Sequence, residues 1–161
     1  MFIFSVSPLN ILILNAGTAF LPHRLTTDGY ETTFQVNHLS QFYLTKLLEQ
    51  KLISSAPARV VVVSSESHRF STISIETLSE EWLSPPSHNN FISIMAYNDS
   101  KLCNILFSNE LNRRLSNYGV HCSACHPGNL ISSGISKNWW VMRLLYTFVR
   151  PFTKSLVSFT I

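Results

Sequence analysis

Glycine is scarce in this chain: 161 residues hold five, at positions 17, 29, 119, 128 and 134. They form no Gly-x-Gly-x-x-Gly cluster, so the sequence supplies no turn that brings backbone N–H groups and a helix N-terminus to a pyrophosphate. Cysteine is thin as well. Three residues without framework spacing exclude a disulfide scaffold and suit a reducing compartment, so a cytoplasmic location is expected. Charged residues are only 13% of the chain, the net charge is +3, and no run of Lys and Arg could neutralise several phosphates. That argues against nucleic acid as a partner. Long apolar runs are missing too. Met1 to Leu14 is apolar but has no positive start and is broken by Pro8, so it does not read as a signal peptide. Trp139 to Ile161 is divided by Arg143, Arg150, Pro151 and Lys154. No stretch reaches the ~20 apolar residues that span a bilayer. The tail has at most the composition of a helix resting on a membrane surface.

What is present is globular material, 45% apolar. Three short apolar runs read as buried strands: Leu9 to Leu14, Arg59 to Val63 and Val120 to Cys125. The first two are continuously apolar, which suits parallel strands covered on both faces. Between them Glu31 to Lys51 spaces Phe34, His38, Phe42, Leu44, Leu47 and Leu48 as a helix would. Ala96 to Leu115 does the same with Leu102, Ile105, Leu106 and Leu111, and Asn117 with Gly119 supplies the stop. Alternating strands and helices are the rhythm of an α/β sheet. From Phe70 to Phe91 the pattern fails in favour of Ser, Thr, Pro and Asn, and loops of that length are usually functional or mobile. With no repeat or linker in sight, one domain is expected over residues 1–161.

Tyr97 and Lys101 stand four residues apart on the last predicted helix, hence on one face. A free phenol, with a pKa of about 10, is a poor base at neutral pH, and a neighbouring ammonium favours the phenolate. The spacing alone is weak evidence: with five tyrosines and five lysines it arises by chance in roughly one such chain in six. Three strand ends add to it. Asn15-Ala16-Gly17, Ser64-Ser65 and His126-Pro127-Gly128 each follow a predicted strand, at the carboxyl edge where open α/β sheets gather ligands. A hydroxyl there could donate to a carbonyl oxygen as negative charge develops, or could merely cap its strand. The glycine of the first end allows close backbone approach, or an ordinary turn.

Taken in order, these residues resemble the short-chain dehydrogenase/reductase family. Its Asn-Ala-Gly is matched by Asn15-Ala16-Gly17, its helix asparagine by Asn37, its serine by Ser65, its Tyr-x-x-x-Lys by Tyr97 and Lys101, and its Pro-Gly by Pro127-Gly128. The resemblance implies a partial Rossmann-like, doubly wound parallel α/β sheet that lacks the family's first strands and its Gly-rich turn. It implies NADP or NAD as cofactor and an apolar alcohol or carbonyl compound, steroid- or retinoid-like, as substrate. It implies Tyr97 as proton donor and acceptor, Lys101 as its partner and a ribose ligand, Ser65 on the carbonyl, and Asn37 behind a water-linked proton relay. Asn15, Ala16 and Gly17 would border the adenine-side ribose, and Pro127 and Gly128 the nicotinamide. The loop from Phe70 to Phe91 and the segment after Gly128 would shape the substrate pocket. The family also commonly dimerises through its two long helices, so a homodimer is implied here.

The same resemblance implies an incomplete copy of the domain at both ends. In the family the fourth strand lies beside the first, so Leu9 to Leu14 should form an exposed apolar edge, an aggregation hazard. Without a phosphate cradle the chain alone should be inactive and bind the cofactor weakly, which leaves a non-catalytic role through protein contacts as the alternative. Other candidates read as bland. Cys122 and Cys125, flanked by His121 and His126, point to opposite faces of a strand and suit a core better than a metal. Asn98-Asp99-Ser100 fits a glycosylation pattern but lies inside a helix. Trp139-Trp140 suits packing or a pocket wall.

Overall fold

The computed structural model describes residues 7–76, 78–89 and 91–128. Three strands, β1 (Ile11–Leu14), β2 (Ala58–Val63) and β3 (Val120–Cys125), form a sheet in the order β1-β2-β3. All pairings are parallel. Leu14 stands beside Val62 and Val62 beside Ala124, so the strands finish level at their carboxyl ends. The valines of β2 are stiff, β-branched side chains that pack well on a pleated surface.

The first crossover is a helix with a defect in it. After α1 (Thr32–Phe34) comes a π turn (Gln35–Leu39), and then α2 (Ser40–Ser54). Glu31 starts it by accepting the Phe34 N–H on Oε2 at 2.9 Å, a carboxylate cap on an orphan donor. The long excursion carries a short turn (Glu66–Phe70) and the four-residue α3 (Glu80–Leu83). The second crossover is α4 (Ser93–Leu115), followed by a turn that closes on Gly119 with φ 75°, a conformation glycine reaches without strain.

Both crossovers land on one face. Connections between parallel strands are right-handed, so two successive steps in the same direction across a sheet place both helices on the same side. The core reflects this: Leu14, Val60, Val62 and Val120 of the sheet meet Leu52 of α2 and Phe107, Leu111 and Leu115 of α4. The expectation of strands covered on both faces is therefore corrected for the described residues. On the other face Ile11 and Ile13 are 60% and 62% exposed. Among the described residues β1 has β2 as its one neighbour, so the expected exposed apolar edge is present.

The helices also turn differently from their apolar spacing. In the first, Phe34 is buried but Phe42, Leu44 and Leu47 are exposed, and the buried line is Asn37, Gln41, Thr45 and Leu52. In α4 the buried apolar residues are Cys103, Phe107, Leu111 and Leu115, while Leu106 is exposed. Apolar periodicity located the helices and misjudged which face packs, because polar residues occupy the buried face near the strand ends. Of the cysteines, Cys103 is buried, Cys122 half-buried and Cys125 exposed, so Cys125 is no core residue. No group of side chains suited to a metal is found among the described residues. No described helix is long and apolar enough to cross a membrane. Trp139-Trp140 and the rest of the tail lie outside the described residues.

Candidate active site

The level ends of the three strands put Asn15-Ala16-Gly17, Ser64-Ser65 and His126-Pro127-Gly128 along one edge, over which α4 carries Tyr97 and Lys101. Lys101 Nζ lies 5.6 Å from the centre of the Tyr97 ring, within reach of a cation–π contact. It donates to the Val63 carbonyl at 3.2 Å, where β2 ends. The residue is only 3% exposed, and burial pulls its pKa down from 10.5 to about 8. Tyr97 is half-buried, with the Phe20 ring tilted against it at 6.1 Å.

The serine pair divides its work. Ser64 is buried and donates its hydroxyl to the Lys101 carbonyl at 2.7 Å, anchoring α4 to the end of β2. Ser65 is half-buried, and its Oγ accepts the Ser67 N–H at 3.3 Å as the cap of the turn that follows. An oxygen that accepts from a backbone N–H keeps its own proton to donate. His68 Nδ1 meets the Ser65 carbonyl at 2.6 Å and His126 Nδ1 accepts the Glu66 N–H at 3.3 Å, which ties the end of β3 to the Ser65 turn.

Asn37 sits in the π turn and is fully buried. Its Oδ1 accepts the Thr18 N–H at 2.7 Å, while its Nδ2 donates to the Thr18 carbonyl at 2.9 Å and to Ser100 Oγ at 3.0 Å. Its side chain thus holds the loop after β1 against α4. Its carbonyl accepts from Gln41 Nε2 at 2.6 Å and Asn104 Nδ2 at 3.0 Å. Gln41 also donates to the Ala16 carbonyl at 2.7 Å. Sequence reasoning missed Gln41 and Asn104, and gave Ser100 only a place in a glycosylation pattern. The signal for them was the polar ladder Asn37, Gln41, Thr45 at helical spacing, and two polar residues flanking Lys101.

Gly17 completes the arrangement. A Cβ there would meet Asn37 Oδ1 and Lys101 Nζ, each at 3.6 Å, which is ordinary contact. The glycine is not required by the backbone; its missing side chain leaves open space beside the lysine. We therefore expect Gly17→Ala to fold with stability within about 0.5 kcal/mol of wild type while weakening any ligand seated against Lys101. Thermal melts and ligand titration on the same preparation check the two halves. Asn15, Ala16, Pro127 and Gly128 are exposed at the edge, and Gly128 has φ 105°. Asn98, Asp99 and Ser100 are all buried in α4, closed to a glycosylating enzyme.

This geometry can move a proton at the Tyr97 hydroxyl, donate a hydrogen bond from Ser65, and bind a hydroxylated ligand beside Lys101 and Gly17. Residues 3–76 match the family model described as short chain dehydrogenase. The human WW domain-containing oxidoreductase is 59% identical over 92% of this chain and 36% of its own length. Retinol dehydrogenase 12 of Mus musculus is 44% identical over 91% of this chain and 44% of its own. The solved active-site complex of Pseudomonas aeruginosa RhlG with NADP shares 25% identity with a TM-score of 0.54, covering 81% of this chain and 44% of that one. The chain thus spans less than half the length of these relatives. The open parallel α/β sheet agrees with these similarities, and this stretch of sequence belongs to the short-chain dehydrogenase/reductase family.

Proposed function

We propose that the chain carries the catalytic half of a nicotinamide-dependent oxidoreductase acting on an apolar alcohol or ketone of steroid- or retinoid-like character. The observation that carries this reading is the buried Lys101 ammonium, held beside the Tyr97 ring and facing the space that Gly17 leaves open. The cofactor, NADP or NAD, supplies hydride when bound. Tyr97 gives or takes the proton at the substrate oxygen, Ser65 donates a hydrogen bond to that oxygen, and Lys101 holds a ribose hydroxyl while its charge favours the phenolate. Asn37 acts here through structure, since its side chain is committed to Thr18 and Ser100. We place Gly17 with Lys101 on the nicotinamide-ribose side, a departure from the adenine-side position that the resemblance implied. Asn15 and Ala16 border the same cleft, and Pro127 with Gly128 closes it at the end of β3.

The residues fit one half of the cofactor. No glycine-rich turn exists to hold the pyrophosphate, and the negative charge there would find no cluster of N–H donors. The 161-residue chain should therefore bind NADPH or NADH weakly and turn over no substrate alone. Fluorescence titration checks this, and a dissociation constant near 1 μM, about −8 kcal/mol, would overturn it.

A non-catalytic role through protein contacts has its own support. Phe42, Tyr43 and Leu47 of α2 line an apolar groove of about 410 Å³ with Tyr30 and Leu39. This surface suits the homodimer that the family resemblance implies. Tyr97→Phe separates the readings: it abolishes turnover in a completed enzyme and leaves a purely contact-driven role intact.

A further inference from the structure

Asn104 lies one turn beyond Lys101 on α4 and is fully buried. Its Nδ2 donates to two main-chain carbonyls, Asn37 at 3.0 Å and Val63 at 3.3 Å. The Val63 carbonyl is the one that also receives Lys101 Nζ. The other end of the amide is engaged as well: His38 Nδ1 stands 3.0 Å from Asn104 Oδ1. An amide oxygen only accepts, so the imidazole carries its proton on Nδ1 and points Oδ1 away from the carbonyls. Burial among Phe34, Phe42 and Phe107 lowers the His38 pKa, which favours the neutral ring in that tautomer.

We infer that His38 and Asn104 form a positioning pair that orients Lys101: the histidine fixes the rotation of the Asn104 amide, and the amide shares the Val63 carbonyl with the lysine ammonium. The consequence for turnover rests on the oxidoreductase reading; the effect on Lys101 does not. With the carbonyl shared, the ammonium is held at the end of β2 and keeps its remaining protons for the space beside Gly17. A merely structural asparagine would need only to satisfy two buried carbonyls, and nothing in that role requires His38.

The test follows Lys101 itself, by NMR titration of the full 161-residue chain labelled with 13C and 15N in its five lysines, Lys101 being assigned through Lys101→Arg. Asn104→Ala frees the Val63 carbonyl and admits water. His38→Leu keeps the apolar contacts and releases the amide, whose oxygen can then turn toward the lysine. Both changes favour the charged form, so both should raise the Lys101 midpoint by about one unit. His38→Asn places an amide N–H where Nδ1 stood and should restore the wild-type midpoint. A folded His38→Leu chain with an unmoved midpoint overturns the pair, as does a folded His38→Asn chain that behaves like His38→Leu. If Asn104→Ala does not fold, the two His38 variants decide. Absence of turnover in every completed form, wild type included, would sink the oxidoreductase reading and leave the titration standing.

Discussion

Tyr97→Phe should cut hydride transfer by about 10²–10⁴-fold in a fusion of this chain behind a strand and glycine-rich turn of its own family. Among the described residues at this edge, Tyr97 combines a transferable proton with a neighbouring cation, so no other side chain there is expected to replace it in full. Removing one oxygen from a half-buried ring should change stability by no more than about 1 kcal/mol. The two readouts therefore part company: activity at 340 nm collapses while the melting curve barely moves. A variant that keeps a tenth or more of wild-type turnover would mean that the proton comes from elsewhere, with Ser65 the next candidate.

The second large effect is on stability and has the opposite sign. Lys101→Met should make the fold more stable at pH 7 while destroying the site. Burial pulls the lysine from 10.5 to about 8, so at neutral pH the native state holds a charge it would shed more readily than the unfolded chain does. A difference of that size is worth about 3 kcal/mol, a large share of the 5–15 kcal/mol that holds a typical domain together. Below about pH 8 both states carry the proton and the cost is felt in full. Between about 8 and 10.5 the unfolded chain binds more protons than the native one, so stability rises with pH and the penalty fades. Buried thiols act the other way: Cys103, pushed up to about 12, withholds stability above pH 9, where the unfolded thiol ionises. The difference between wild type and Lys101→Met cancels that contribution. Denaturant melts from pH 6 to 11 should show the gap widest at the acid end and closing by pH 10.5. Equal stability at pH 7 would mean that water reaches the ammonium and that Lys101 is not held in a dry site.

A group kept at such a cost argues for function over packing. The sequence made part of this legible. Continuous apolar runs identified β1 and β2, and Tyr97 with Lys101 stood out because helical spacing converts four residues into one face. Strand ends were legible because small and polar residues replaced aliphatic ones abruptly at Ser64 and at Asn15. The orientation of the helices was not. Phe42 and Leu47 are apolar and face outward, whereas Asn37, Gln41 and Thr45 are polar and buried. Apolar periodicity measures what can be buried in hydrocarbon, whereas Asn37 and Gln41 are buried against the Thr18 and Ala16 carbonyls of an irregular loop and Thr45 against the Gln41 carbonyl of its own helix. The π turn deepened the error: an extra residue per turn at Gln35–Leu39 breaks the 3.6 period that the spacing argument assumed. The division of labour between Ser64 and Ser65 was equally hidden, since it depends on which hydroxyl meets the Lys101 carbonyl of a helix 37 residues away.

If these residues form the nicotinamide-ribose half of a cofactor site, as we propose, they should bind that half independently of any phosphate cradle. The most direct measurement titrates nicotinamide mononucleotide into the 15N-labelled chain and follows the amide resonances. Saturable shifts are expected at Gly17, Thr18, Lys101 and Gly128, lost in Gly17→Ala although that variant stays folded. Shifts spread over the outer face of α2, or none at all while Gly17 and Lys101 remain well resolved, would contradict the proposal.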